Sequence, residues 1–493
     1  MNTQYAAMER HFDLMRKKIG LVAGPGVGLI LLLLPLPLSD PAQKMAAIMA
    51  CVILYWITEP IPIPVTALIG PMLAVLFGLA PSKAILASFG EPPIFLFIGS
   101  FLIACAMERH HLDRRIAISI LSIRWVGNSP YRILWILGGL TALISLWISN
   151  TAATAMLFPI ALGILGAMQQ EDKMPSSYGT GMMLMIAFAA SVGGIGTPIG
   201  TPPNLIGIGM IRDLTGKQFH FLEWMMLAMP IVVVMYVALY GLLVVLHPPK
   251  TDGTMGSFIA DQKRNLPPWS RGEKNVLFVF GVAIFFWTLP GVIDLIWGAD
   301  ASPAKWMKGH LPEEVVAILS SSLLFFLPTD RSKHEYTLSW EEAASIDWGT
   351  ILLFGGGLAL GGLMFKTGLS DAIGKGLLSS LSIHSVWGIT LFSIILAVFT
   401  SELTSNTASA NMIIPVVIAF AQAAGVSPIP PALGAIMGAS YGFMLPVSTP
   451  PNAIVYGSGL VPIAKMIRAG VLFDLIGIAI IFVGLRILSP LFQ

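Results

Sequence analysis

Charge is what this chain of 493 residues has least of: Asp, Glu, Lys and Arg together make up 11% of it, and the net charge at pH 7 is +2. A balance so close to neutral argues against a nucleic-acid partner, whose phosphates demand a basic surface. Cysteine is almost missing. Cys51 and Cys105 both fall inside apolar runs, so they read as small packing residues rather than a disulfide or metal ligands, and they say nothing about redox compartment. Also absent are HExxH and any acid/base pair at usable spacing, which leaves an enzyme without a foothold. What fills the chain instead is 55% hydrophobic residues and a mean hydropathy of +0.80. Such a chain is solvated mostly by lipid.

The apolar runs predict an all-α polytopic membrane protein with about eleven crossings, near residues 21–38, 44–58, 64–80, 93–108, 179–210, 222–247, 275–297, 313–328, 347–366, 431–458 and 467–490. Residues 1–18 are polar and basic, and Leu21–Leu38 lacks a small-residue cleavage pattern, so the first run reads as a membrane helix and not a signal peptide. Two stretches, 130–168 and 385–425, are each too long for one helix and carry a polar triplet near the middle. They are expected to be re-entrant hairpins whose tips stop at mid-membrane. Three basic clusters would lie on one side: Arg10/Arg16/Lys17/Lys18, Arg109/Arg114/Arg115/Arg124 and Lys250/Lys263/Arg264/Arg271/Lys274. The bias of short loops toward Lys and Arg on the cytoplasmic side then predicts an N-terminus inside, a C-terminus outside, and a cytoplasmic linker at 248–274.

Inside this apolar background two polar signatures are each written twice. Ser149-Asn150-Thr151 recurs as Ser405-Asn406-Thr407 (405 − 149 = 256), and Thr201-Pro202-Pro203-Asn204 recurs as Thr449-Pro450-Pro451-Asn452 (449 − 201 = 248). A third block, from Leu96, aligns with one from Leu353 at nearly the same spacing, so the halves are repeats. In the predicted topology they are inverted, an architecture associated with alternating access. A broken backbone studded with Asn and Thr survives in lipid only where it is buried in protein or lines a cavity. Two matched breaks therefore point to a binding site at the repeat interface of a transporter.

The chemistry follows from what the signatures hold and what surrounds them. Asn150 and Asn406 each offer an amide donor and acceptor, Ser149, Thr151, Ser405 and Thr407 add hydroxyls, and helix ends at the breaks present amides and carbonyls. From Ile133 to Asp172 and from Gly376 to Ala464 there is no Lys or Arg. A dianion held there needs its charge offset by bound cations, because burying an uncompensated ion costs of order 20 kcal/mol in the idealised limit and several after relaxation. Hard oxygen ligands suit sodium, which makes anion binding conditional on the cation.

These motifs, with TEPIPIPVTAL at Thr58–Leu68, GGIGTPIGTPPN at Gly193–Asn204 and ASYGFMLPVSTPPNAIV at Ala439–Val455, resemble the divalent anion/sodium symporter family over nearly the whole chain. The resemblance implies a homodimeric inner-membrane transporter working by an elevator motion. Residues 21–128 and 275–380 would be scaffold helices, and 129–247 and 381–493 the two parts of the transport domain. Substrate ligands would be Ser149, Asn150, Thr151, Thr201, Pro202, Ser405, Asn406, Thr407, Thr449 and Pro450. Sodium ligands would be Ser145, Ser149, Asn150 and Gly200 at one site and Ser401, Thr404, Asn406 and Ser448 at the other. The leading expectation is sodium-coupled uptake of a C4-dicarboxylate such as succinate, fumarate or malate, with carboxylate exchange and citrate or sulfate transport as the runners-up within the family's range. Among other polar residues, Glu59 is expected to cap a helix, Glu402 to tune the second cation site or take a proton, Asp474 to matter less, and His110 and His111 to be solvated.

Overall fold

The structure, a computed structural model, describes residues 2–123, 125, 129–170, 176–248, 261–298 and 302–492. Helices follow the apolar runs. The first half contains α1 (Asn2–Leu33), α2 (Asp40–Thr58), α3 (Ile63–Leu76), α4 (Ser82–Leu86), α5 (Pro92–Arg109), α6 (Leu112–Leu121), α7 (Pro130–Ser145), α8 (Asn150–Gln170), α9 (Ser176–Gly194), α10 (Pro202–Thr215) and α11 (Phe221–Leu246). The second contains α12 (Arg271–Trp297), α13 (Ser302–His310), α14 (Glu313–Ser322), α15 (Trp340–Ala343), α16 (Trp348–Lys366), α17 (Leu369–Leu381), α18 (Val386–Leu403), α19 (Asn406–Ala423), α20 (Ile429–Gly438), α21 (Pro450–Gly457) and α22 (Ile463–Leu488). A small antiparallel pair, β1 (Pro328–Asp330) with β2 (Glu335–Tyr336), is the only sheet among the described residues. Nine helices among them are long and apolar enough to cross a membrane, so the all-α polytopic expectation holds.

Several boundaries differ from the sequence reading for identifiable reasons. The segment expected as a separate polar N-terminus belongs to α1, which stops at Leu33 because Pro35 and Pro37 remove backbone donors and disfavour the helical region in the residues before them. The crossing expected at 179–210 is two helices, α9 and α10, separated by an unwound stretch at 195–201. That at 431–458 is likewise α20 and α21, separated at 439–449. Each expected hairpin is a pair of helices, α7/α8 and α18/α19, meeting at its Ser-Asn-Thr triplet. Two short amphipathic helices, α6 and α17, stand outside the expected crossings. Arg124, Lys250 and residues 249–260 of the linker lie outside the described residues.

Contacts group the chain into two compact units, each drawing on both halves of the sequence. One comprises Met1–Ile94, Ile206–Gln218 and Trp348–Ala439. In it α2 and α3 pack on α16, α17 on α19, and α18 on α20. Close backbone approach is made by small residues, with Gly356 against the Ala67 carbonyl and Gly438 against that of Ile394, the habit of helices that pack in lipid without a hydrophobic drive between them. The other unit comprises Phe95–Leu205, Phe219–Asp347 and Ser440–Gln493. Its centre is α9, buried on every side from Tyr178 onward and surrounded by α7, α8, α11 and α21. A helix apolar all round belongs in such a place.

Polar clamps tie the ends of helices in this second unit. Arg115, one of the expected cytoplasmic basic cluster, is buried. It donates to Glu273 Oε1 at 2.5 Å and to the Pro267 carbonyl at 2.7 Å, binding the start of α6 to the start of α12. His110 is half-buried, its Nε2 2.7 Å from the Thr337 carbonyl, whereas His111 is exposed as expected. Glu59 does cap α2: it sits in the left-handed region at φ 49°, with its N–H on the Tyr55 carbonyl and its carboxylate 3.6 Å from Arg16. Cys51 and Cys105 are both free thiols.

His247, just past the end of α11, is buried, and its Nδ1 lies 3.2 Å from Ser177 Oγ. Burial, reinforced by Lys465 and Arg468, pushes its imidazole down to about 4. The unfolded chain therefore binds the extra proton between about pH 6.5 and pH 4 while the folded one does not, so this group's contribution is full above the upper limit and lost as pH falls. His247→Gln should flatten the decline in thermal midpoint between pH 7 and pH 5 relative to the parent protein. Parallel melting curves would refute it.

Candidate functional site

The first hairpin tip and the unwound stretch after α9 build one constellation within the second unit. α7 ends at Ser145, three residues follow, and Ser149 opens α8 by accepting the Ala152 N–H at 3.2 Å. This is the capping role that Ser performs at helix starts. Ser145, fully buried, donates its hydroxyl to Asn150 Oδ1 at 2.7 Å across the tip. Thr197 donates to the Leu146 carbonyl and so fastens the unwound stretch to the tip.

Two glycines make the approach possible. A methyl on Gly194 would overlap Asn150 Oδ1, and one on Gly200 would come 2.9 Å from the Ser145 carbonyl and closer still to that of Gly194. The Asn150 amide oxygen, the Ser145 hydroxyl and carbonyl, and the carbonyls of Gly194 and Gly200 therefore converge from three strands of chain. All are neutral oxygens. Among the described residues no cluster of three or more His, Cys, Asp or Glu exists, so an ion bound here meets hydroxyl, amide and carbonyl donors only. Such a set suits a hard monovalent cation far better than a transition metal.

The second tip, in the first unit, repeats the arrangement. Ser405 accepts the Ala408 N–H at 3.2 Å and caps α19; Ser401, fully buried, donates to Asn406 Oδ1 at 2.8 Å. Both bonds recur at the offset of the triplets themselves. Ser401 also reaches the Ala439 carbonyl at 2.9 Å, so one hydroxyl hydrogen is shared between two acceptor oxygens. Asn411 adds a bond from its amide to the Thr407 carbonyl at 3.0 Å, and Thr404 donates to the Trp56 carbonyl at 2.8 Å. Glu402 is buried in the last turn of α18.

The two TPPN turns share a different device. Asn204 donates to the carbonyls of Gly194 at 2.9 Å and Thr197 at 2.7 Å, and Asn452 to those of Gly442 at 2.9 Å and Leu445 at 3.0 Å. Donor and acceptors are displaced by the offset of the motif, which makes the repeat visible in hydrogen bonds as well as letters. Both asparagines are fully buried, and they satisfy carbonyls that the breaks release. The prolines begin α10 and α21, where a missing N–H does no harm. Thr201 and Thr449 are buried at these starts, Pro202 is half-buried and Pro450 exposed. Ser448, also buried, ends an unwound segment anchored by Tyr441 and Phe443, whose rings pack with Phe188 and Phe473 at centroid distances of 4.7–5.8 Å. Asp474 is buried on α22.

Thus Ser145, Ser149, Asn150 and Gly200 come together at the first tip, and Ser401, Thr404 and Asn406 at the second, while Ser448, Thr449 and Pro450 form a turn within the other unit. Ser149 and Thr151 are exposed and Asn150 half-buried, so the first tip presents its polar edge outward. Sequence reasoning missed Gly194, Thr197 and the Ala439 carbonyl. The first two stand inside the quoted GGIGTPIGTPPN string, whereas a main-chain carbonyl carries no residue signature.

A family described as "Sodium:sulfate symporter transmembrane region" matches residues 16–490. The chain is 34% identical, over 96% of its length and 91% of the relative's, to a sodium-dependent dicarboxylate transporter, SdcS, of Staphylococcus saprophyticus. It is 33% identical to an uncharacterized transporter of Haemophilus influenzae, over 90% of this chain and 92% of that one. The crystal structure of the Alcanivorax borkumensis YdaH transporter superposes with a TM-score of 0.57 at 13% identity, covering 82% of this chain and 87% of that one, and shares the fold.

Since Asn204 and Asn452 each serve released carbonyls, replacing either by Ala should destabilise the protein by about 1–3 kcal/mol, the cost of leaving buried polar groups unmet. Thermal unfolding of the purified protein in detergent reads this as a lowered midpoint for both variants. An unchanged midpoint in either would show that its carbonyls are satisfied otherwise.

Proposed function

This chain belongs to the family of the sodium:sulfate symporter transmembrane region, a family of integral membrane transporters, and on that basis we propose that it is a secondary active symporter coupling sodium to uptake of a C4-dicarboxylate such as succinate, fumarate or malate. The observation that carries the reading is the pair of neutral oxygen clusters at the two Ser-Asn-Thr tips, set in stretches without Lys or Arg. Ser145, Ser149, Asn150 and Gly200 supply oxygens to one sodium ion. Ser401, Asn406 and the main chain of Thr404 supply them to another. The carboxylates of the substrate are received by Ser149, Asn150 and Thr151 with Thr201, Pro202, Thr449 and Pro450 in the one unit, and Ser405, Asn406 and Thr407 offer the same donors in the other. Half-helix N-termini at α8 and α19 contribute only about half a unit of charge each, so the sodium ions carry most of the neutralisation.

In this reading a homodimer in the cytoplasmic membrane, N-terminus inside and C-terminus outside, holds its scaffold helices still while the hairpins and broken helices move as an elevator. The runner-up keeps the family and changes the cargo: the family's description names sulfate, and a tricarboxylate or a sodium-independent carboxylate exchange would use the same oxygens. Reconstituted protein should accumulate labelled succinate only under an inward sodium gradient. Uptake indifferent to sodium but driven by internal dicarboxylate would establish exchange, and competition by sulfate or citrate in place of succinate would reassign the cargo.

Hydrogen bonds to charged groups contribute roughly 1.5–3 kcal/mol each. Asn150→Ala and Asn406→Ala should therefore cut sodium-driven uptake by about one to two orders of magnitude while the protein still elutes as a folded species in size-exclusion chromatography. Normal uptake by either variant would remove that residue from the site.

A further inference from the structure

One contact of the second tip has no counterpart in the first. α2 ends at Thr58, Glu59 turns into the left-handed region, and prolines follow at positions 60, 62 and 64. In a continuing helix the Trp56 carbonyl would accept the N–H of residue 60, and proline has none. That carbonyl, on a fully buried residue, is met instead by the hydroxyl of Thr404, 348 positions away in the chain, at 2.8 Å. Thr404 stands at the turning point between α18 and α19, in extended conformation, with its own N–H on the Thr400 carbonyl. At the offset of the triplets, the corresponding residue of the first tip is Ile148, which has no hydroxyl to donate. The proline-rich TEPIPIP stretch, which the substrate and cation ligands leave unexplained, thus acquires a structural role, because it frees a carbonyl to receive the second hairpin.

We propose that Thr404 is a positioning residue, whose side chain docks the second hairpin tip onto the broken end of α2 and thereby sets where Ser401, Ser405 and Asn406 sit. It contributes to transport through this docking and not through side-chain ligation of the cation. The inference deepens the symport reading and relies on it only for the uptake measurements. A neutral hydrogen bond of this kind shifts the balance between docked and undocked tips by about fivefold.

The test compares Thr404→Val, which keeps the shape and loses the donor, with Thr404→Ser, which keeps the donor. Positioning predicts that Thr404→Val lowers succinate uptake at subsaturating sodium and raises the sodium concentration for half-maximal uptake by no more than about fivefold, because sodium must then draw the undocked tip into place. It also predicts faster amide exchange in peptides spanning residues 55–61 and 400–408, with Thr404→Ser restoring all three properties. A rise in half-saturating sodium of tenfold or more, with amide exchange unchanged, would make Thr404 a direct ligand and overturn the proposal. Unaltered uptake and exchange would do so as well. Should Thr404→Val fail to fold, the parent protein still decides: on titration with sodium chloride, exchange at 55–61 and 400–408 must change together, and independent changes refute docking. If parental uptake ignores sodium, the symport reading fails while the exchange comparison continues to test the docking.

Discussion

Everything in this structure answers to one constraint: a helix broken inside an apolar chain releases carbonyl and amide groups that lipid cannot satisfy. The protein breaks helices at four matched places and meets the released groups from within. Asn204 distributes two amide hydrogens over the carbonyls of Gly194, Ile195 and Thr197, and Asn452 does the same for Gly442 and Leu445. Ser149 and Ser405 take amides at the starts of α8 and α19. Once these obligations are met, the oxygens left converging at each tip have no further partner of opposite charge in the local sequence. A bound cation is the natural complement of such a cluster, so the binding chemistry grows out of the way the breaks are stabilised.

The repeats agree where this constraint is common to both and part where it is not. Ser145 with Asn150 and Ser401 with Asn406 are equivalent to within 0.1 Å in their hydroxyl–amide distance. Beyond the pair, Thr404 replaces Ile148 and Asn411 replaces Ala155, so the second tip makes two polar contacts, to Trp56 and to Thr407, that the first cannot make. In the proposed symport, equivalence at the hydroxyl–amide core with difference at its supports would make the two tips cation sites of similar donor chemistry and unequal rigidity. Under the proposed symport such inequality would give the ions a preferred order of binding, since the better-supported tip needs less ordering when its ion arrives.

How far the sequence can be read depends on whether a feature lives in side chains. Long apolar runs mark the crossings, and the duplicated triplets mark both hairpins, because hydropathy and repetition are properties of letters. Pro35 and Pro37 are in plain view as well, yet hydropathy alone carries the first helix too far, since the apolar run continues past Leu33 and a lost donor leaves no trace in it. The amphipathic α6 and α17 escape because ten to thirteen residues with scattered charge look like a loop to any test of span length. The burial of Arg115 is equally hidden: its partner, Glu273, is 158 positions away, and no local pattern announces the pair. At the site itself, side-chain ligands are legible, while Ala439 and Trp56 act through carbonyls that any residue possesses.

Neutral donor sets have a mechanistic consequence that fixed cations would not. A lysine or arginine in the pocket would hold a dianion in the absence of sodium and would leave the empty carrier charged. With hydroxyls, amides and carbonyls as the only ligands, the ligand set itself carries no charge when the site is empty. A site holding two monovalent cations and one dianion is uncharged too. Intermediate states are not: cations without the dianion leave a net positive charge, and the dianion alone leaves a negative one, each penalised by several kcal/mol when taken out of water. In the proposed elevator, movement of the site across the membrane would then be favourable only when it is empty or fully loaded. That is the condition for coupling, and in the proposed symport it would follow from the absence of basic residues between Ile133 and Asp172 and between Gly376 and Ala464 as much as from the oxygens that are present.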